Sequence, residues 1–217
     1  MGRRFVDQRR RDPYYRAAQR EGLRSRAAFK LAYLDDRFHL LRPGARVLDL
    51  GAAPGGWSMV ALERVGARGS VVAVDPRPIE PAPGLTVVRG RVGDPTVASR
   101  LGSEPFDVVL SDMSPSISGA YSTDHARSVE LVRSAHALAI EVLAPDGTFV
   151  AKVFAGDMID DLLAEIRPNF MEVVRTKPPA SRAPSSEVYL LARGFRRTPV
   201  STQGSRPLTA VRPASDI

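Results

Sequence analysis

The chain has no cysteine, which excludes disulfides and thiolate metal sites. Its three histidines, His39, His125 and His136, are scattered, so no metal centre is expected. His125 and His136 read as ordinary helix-surface or core residues. No apolar run reaches 18 residues, so no membrane span is expected. The first residues are polar and arginine-rich and lack the apolar stretch of a signal peptide, which points to a cytoplasmic protein. Lysine is also scarce. Of 31 basic residues only Lys30, Lys152 and Lys177 are lysine; the other 28 are arginine. Arginine keeps its proton in a protein, whereas a buried or crowded lysine can lose it. The three lysines are therefore candidates for proton chemistry.

What is present fits one globular domain with tails. At 217 residues and 43% hydrophobic composition the chain can bury a sizeable core. The formal charge of +7 is unevenly placed. Residues 1–26 carry nine arginines against Asp7, Asp12 and Glu21, and residues 193–217 carry five against Asp216. Basic ends on a slightly acidic body suit a polyanion. In residues 1–22 arginines alternate with Phe5, Tyr14 and Tyr15, so phosphate contacts can combine with base stacking. This segment reads as a flexible arm, residues 23–195 as the single domain, and residues 196–217 as a disordered tail.

The apolar pattern predicts seven strands: 47–50, 70–75, 85–89, 106–110, 148–154, 171–175 and 187–192. Between them it predicts helices, the longest over 124–143, with Leu131, Ala135, Leu138, Ala139 and Val142 facing the core. A first helix, capped by Ser25, is expected to run to about Leu41, where Pro43-Gly44 ends it. Strands alternating with helices imply an open, mostly parallel α/β sheet. The last two strands read as a hairpin, making the final strand antiparallel.

Ligand chemistry concentrates in Val47-Leu48-Asp49-Leu50-Gly51-Ala52-Ala53-Pro54-Gly55-Gly56-Trp57. A strand feeds a turn of small residues that opens a helix, the ligand-binding corner of such sheets. Gly51, Gly55 and Gly56 are expected to let backbone approach a ligand. The dinucleotide fingerprint needs glycine at position 53, where this chain has Ala53. Asp75 ends the second strand, where a carboxylate suits ribose hydroxyls.

The string from Asp49 to Trp57 resembles the methionine-sulfonium binding loop of the FtsJ/RrmJ-like ribose 2′-O-methyltransferases. Three further segments support that resemblance. Ser25-Arg26-Ala27-Ala28-Phe29-Lys30-Leu31 is similar to the family's leading helix motif. Asp112-Met113-Ser114-Pro115-Ser116-Ile117-Ser118-Gly119 is similar to its fourth motif. Ser185-Ser186-Glu187-Val188-Tyr189-Leu190-Leu191-Ala192 is similar to its final motif. The resemblance covers residues 24–193. It implies a Rossmann-like S-adenosylmethionine-dependent methyltransferase fold, a mostly parallel seven-stranded sheet with an antiparallel last strand and helices on both faces. It implies a catalytic tetrad of Lys30, Asp112, Lys152 and Glu187. S-adenosyl-L-methionine would be the cofactor, held by Asp49, Gly51, Gly55, Gly56, Trp57, Asp75 and Asp112, with no metal. One position departs from the family: Arg91 stands where an acid usually contacts the adenine, leaving Asp94 as the substitute candidate.

The implied reaction moves a methyl group from a sulfonium to a ribose 2′-hydroxyl, a poor nucleophile that needs a base or a cation beside its forming alkoxide. Lys152 is the expected centre, with Lys30 nearby and Asp112 holding its orientation. Glu187 would position Lys30 or the ribose. The implied substrate is a uridine in the A-loop of 23S ribosomal RNA, on large-subunit RNA or the large ribosomal subunit, with the enzyme as a monomer. Two alternatives remain within this fold, a transfer-RNA methyltransferase and a non-catalytic ribosome-assembly factor. The imperfect fingerprint at Ala53 counts against an NAD-dependent oxidoreductase.

Overall fold

The computed structural model describes Arg20 and residues 24–179 and 186–197. The expectations for the basic arm and the C-terminal tail fall almost wholly outside these residues. The sequence pattern becomes seven strands: β1 (Arg46–Leu50), β2 (Ser70–Asp75), β3 (Leu85–Arg89), β4 (Phe106–Ser111), β5 (Leu143–Phe154), β6 (Phe170–Thr176) and β7 (Glu187–Phe195). The helices are α1 (Ala28–Phe38), α2 (Gly56–Val65), α3 (Pro95–Ala98), α4 (Tyr121–Val142) and α5 (Ile159–Ile166).

The strands form one sheet in the order β3-β2-β1-β4-β5-β7-β6. Neighbours from β3 to β5 are parallel, and β7 runs antiparallel to both β5 and β6. Strand order reverses between β1 and β4, which opens a crevice at their carboxyl ends. β7 starts at that same edge, with Glu187 opposite Phe154 and Tyr189 opposite Lys152.

Two-residue alternation sorts the core onto the two sheet faces. Leu48, Leu50, Phe149, Ala151 and Val153 join Val129 and Val132 of α4 and Leu162 of α5 in one cluster. Val47, Val150, Tyr189 and Leu191 join Leu31 and Leu34 of α1 and Val60 of α2 in the other. Lys152 shares the parity of Val150, so it faces α1, the helix that carries Lys30. Burying each large apolar side chain contributes about 1.5–3 kcal/mol.

Several boundaries differ from expectation for local reasons. Ser25 is not the cap of α1; the cap residue is Ala27, with no side-chain bond, and Ser25 supplies only its carbonyl to the Ala28 N–H. The helix ends before Pro43-Gly44, because His39 turns left-handed and the Asp35 carboxylate accepts from the Leu41 N–H. α4 begins one turn earlier than expected. Its buried face holds Asp124, His125 and Ser128 as well as Ala135, Leu138 and Ala139, while Leu131 and Val142 are half-buried. Among the described residues no helix is long and apolar enough to cross a membrane.

Candidate active site

The turn after β1 needs its glycines, but not to open space for a ligand. Gly51 and Gly55 have φ of 75° and 105°, a region L side chains rarely adopt. A Cβ on Gly51 would lie 2.6 Å from the Met113 side chain, and one on Gly55 would lie 2.8 Å from the Arg24 guanidinium. A Cβ on Gly56 would lie 2.1 Å from the Ser25 hydroxyl oxygen. The glycines therefore admit two protein segments, the stretch before α1 and the loop after β4. Arg24 straps the first segment down through the carbonyls of Glu80 and Pro81, and the Trp57 indole N–H donates to the Ala27 carbonyl at 2.8 Å.

These segments wall a cleft of about 730 Å³ at the carboxyl edge of the sheet. Asp49, Gly51, Gly56, Trp57, Asp75 and Asp112 line it, as the sequence predicts for a cofactor site. Gly55 and Asp94 do not. Asp94 is the cap of α3, where it accepts from the Thr96 N–H and hydroxyl, so it is committed to the helix end instead of the cleft. At that end Gly90, Arg91 and Val92 form the wall.

Three carboxylates converge on the cleft. Asp49 is fully buried; its Oδ2 accepts from the Ser58 hydroxyl at 2.6 Å, and its Oδ1 has no partner. Burial pushes the Asp49 carboxyl up to about 7; Asp112 and Asp75 push the same way, and the Ser58 hydrogen bond opposes them. Asp75 is treated differently. Burial works to raise its pKa, but hydrogen bonds from Arg77 and the Ala53 N–H outweigh it and hold the carboxyl below the usual range. This acidic lining, with one buried oxygen left unpartnered, fits a ligand bearing positive charge and ribose hydroxyls. S-adenosylmethionine carries both.

Beside the cleft stand the four residues expected for catalysis, drawn from α1, β5, β7 and the end of β4. The Lys152 ammonium lies 3.0 Å from the Asp112 carboxylate and donates to the Asp112 carbonyl at 2.9 Å. The Lys30 ammonium lies 2.6 Å from the Glu187 carboxylate. Glu187 therefore pairs with Lys30, one of the two options read from sequence. Both ammoniums are buried, and each has a carboxylate, which offsets the cost of removing the charge from water.

Tyr189 joins the two pairs and was not predicted as a site residue. Its hydroxyl donates to Asp112 Oδ1 at 2.9 Å, and the Lys30 ammonium lies 5.7 Å from its ring centroid. Burial, with Asp112 and Glu187 adding to it, raises its pKa well above 10, so it stays a donor. The available signal was register: a polar tip inside the apolar run Val188–Ala192, two residues after Glu187 and opposite Lys152. Among the described residues no group of His, Cys, Asp and Glu could hold a metal.

The family model described as FtsJ-like methyltransferase matches residues 23–195. Ribosomal RNA large subunit methyltransferase E of Paramagnetospirillum magneticum is 50% identical over 193 residues, covering 85% of this chain and 79% of that one. The protein of the same name from Methanothermobacter thermautotrophicus is 45% identical over 201 residues, covering 90% and 95%. The crystal structure of a ribosomal RNA methyltransferase from Plasmodium falciparum superposes with a TM-score of 0.73 at 28% identity, covering 79% of this chain and 98% of that one. With a nucleotide-type cleft in a sheet of the expected topology and a family match across the domain, the chain belongs to the FtsJ-like methyltransferase family and is an S-adenosylmethionine-dependent enzyme.

Proposed function

We propose that this enzyme methylates a ribose 2′-hydroxyl in large-subunit ribosomal RNA, at a uridine of the A-loop of 23S RNA. The observation that carries the reading is the linked quartet Lys30–Glu187 and Lys152–Asp112, which reaches the cleft through Asp112. The relatives named ribosomal RNA large subunit methyltransferase E support the choice of RNA. All four side chains come from one chain, which favours a monomer as the working unit, acting in the cytoplasm on ribosomal particles and not at a membrane.

Bound S-adenosylmethionine supplies an electrophilic methyl group on a sulfonium. Asp49, Asp75 and Asp112 would hold it. The 2′-hydroxyl loses its proton as its oxygen gains the methyl, and the carbon–sulfur bond breaks. Lys152 enters the step as the neutral amine; its Nζ accepts that proton and is left as an ammonium beside Asp112. Asp112 and Tyr189 fix where that nitrogen points. Lys30, held by Glu187, adds a second cation beside the same oxygen. Fixing oxygen, carbon and sulfur in line supplies much of the remaining rate.

The test is to map the product. Large subunits from cells lacking the enzyme are treated with enzyme and cofactor, and the RNA is digested and sequenced by mass spectrometry. The reading expects a single 2′-O-methyluridine in the A-loop. A methyl group on a base, or a ribose methyl confined to transfer RNA, contradicts it.

A further inference from the structure

Beyond the cleft and the tetrad, one surface feature is built with unusual care. The loop joining β4 to α4 and the first residue of α4 hold two large apolar side chains out in solvent: Ile117 is 65% exposed and Tyr121 is 60% exposed. This is not a slack loop. The buried Asp124 carboxylate accepts from the Ser118 N–H at 2.8 Å, the Ser118 hydroxyl at 2.8 Å and the Gly119 N–H at 3.1 Å. Arg127 reaches back to the Ser116 carbonyl. The Tyr121 hydroxyl donates to the Ala155 carbonyl, which fixes the ring at its far end. Polar contacts thus hold two large apolar side chains in water, which disfavours the free protein and favours whatever covers them.

The position of the ring indicates the occupant. Ala155 follows β5, and its N–H bonds the Ser186 carbonyl, one step past the pair Phe154 and Glu187. Three residues of extended chain, about 10 Å, separate Ala155 from Lys152. That is the reach of the nucleotide next to the one whose ribose enters the tetrad. Single-stranded RNA offers splayed bases that stack on tyrosine.

We propose that Tyr121 is a stacking platform for a nucleobase neighbouring the methylated nucleotide. The platform rests on the RNA reading above and defines how the acceptor strand is held. It makes Tyr121 a substrate-binding residue that acts on RNA affinity and not on cofactor affinity.

Tyr121→Ala and Tyr121→Phe test this in the full chain. Steady-state methylation is measured on large subunits and on extracted 23S RNA, RNA affinity by filter binding, and S-adenosylmethionine affinity by calorimetry as a check on folding. Tyr121→Ala should raise KM and Kd for both RNA forms about 5- to 150-fold, as loss of a base-stacking aromatic does. Tyr121→Phe should restore most of that loss, and cofactor affinity should stay within about twofold of wild type for both. Unchanged RNA affinity in Tyr121→Ala overturns the platform. Equal losses in both variants overturn it too, since the hydroxyl anchor alone then matters. A loss seen on whole subunits and absent on extracted RNA assigns the patch to a protein partner and overturns it as well. If wild type methylates no RNA, the functional reading fails by itself, and filter binding still decides the platform.

Discussion

The buried carboxylate of Asp49 should make cofactor binding depend on pH in a way that one substitution removes. Its pKa is raised from 3.8 to about 7. A folded value above the unfolded one means that this group's stabilising effect is complete below 3.8 and is lost as pH rises through about 7. The cationic cofactor reverses that loss, because it prefers the ionised carboxylate in a cleft already lined by Asp75 and Asp112. With a pKa near 7, Asp49 is about nine-tenths protonated at pH 6 and about nine-tenths ionised at pH 8. The Kd for S-adenosylmethionine should therefore fall about tenfold from pH 6 to pH 8, or about 1.4 kcal/mol. The cofactor's own amine loses charge near the top of this range and opposes the trend, but it does so in any variant. The informative quantity is thus the difference between wild type and Asp49→Asn in titration calorimetry at pH 6, 7 and 8. Wild type should show the steeper gain, and Asp49→Asn should bind more weakly at pH 8. Identical slopes in the two proteins would refute the reasoning, since no titrating carboxylate would then face the cofactor.

Other perturbations probe the tetrad, the core and the arm. Lys152→Ala should abolish methyl transfer while cofactor Kd stays within about threefold, and Lys152→Arg should also fail because arginine cannot give up its proton; single-turnover assays with matched calorimetry check both. Tyr189→Phe removes the donor to Asp112 and should lower kcat about 2- to 12-fold, roughly the 0.5–1.5 kcal/mol of one hydrogen bond, with little change in cofactor KM. His136 packs between Phe149 and Phe170, and burial lowers its pKa below 6.5 despite opposing effects of Glu165 and Asn169. Its depressed value means that stability is full above 6.5 and falls with pH below that, so the urea midpoint should drop from pH 7.5 to pH 5.5 by more than in His136→Phe. Deleting residues 1–20 should weaken RNA binding and flatten its dependence on salt, measured by filter binding from 50 to 200 mM salt.

Much of this architecture was legible because it rests on short-range rules. Runs such as Ser70–Asp75 carry enough apolar residues to mark strands without further context, and the ends of β2 and β4 locate Asp75 and Asp112 at the ligand edge. The hairpin expected after β6 brought Glu187 to that edge, as found. What sequence could not supply was pairwise register and the identity of close neighbours. Tyr189 looks like one more core residue until β7 lies beside β5 and its hydroxyl meets Asp112. Gly55 and Gly56 look like room for a ligand until Arg24 and Ser25, each 31 residues earlier in the sequence, fill that room. Asp94 looked available because the bond it makes to Thr96 costs nothing visible in a linear pattern. Leu131 fits the helical period of the core, but the helix turns it toward the cleft wall.

The most direct test of the central claim is transfer of tritium from labelled S-adenosylmethionine to ribosomal subunits and total transfer RNA from cells lacking the enzyme, with Lys152→Ala alongside. The account predicts label in large-subunit RNA with wild type and none with Lys152→Ala, while both proteins bind cofactor. Label that persists with Lys152→Ala, or no label in any RNA from a wild-type protein that binds cofactor, would contradict it.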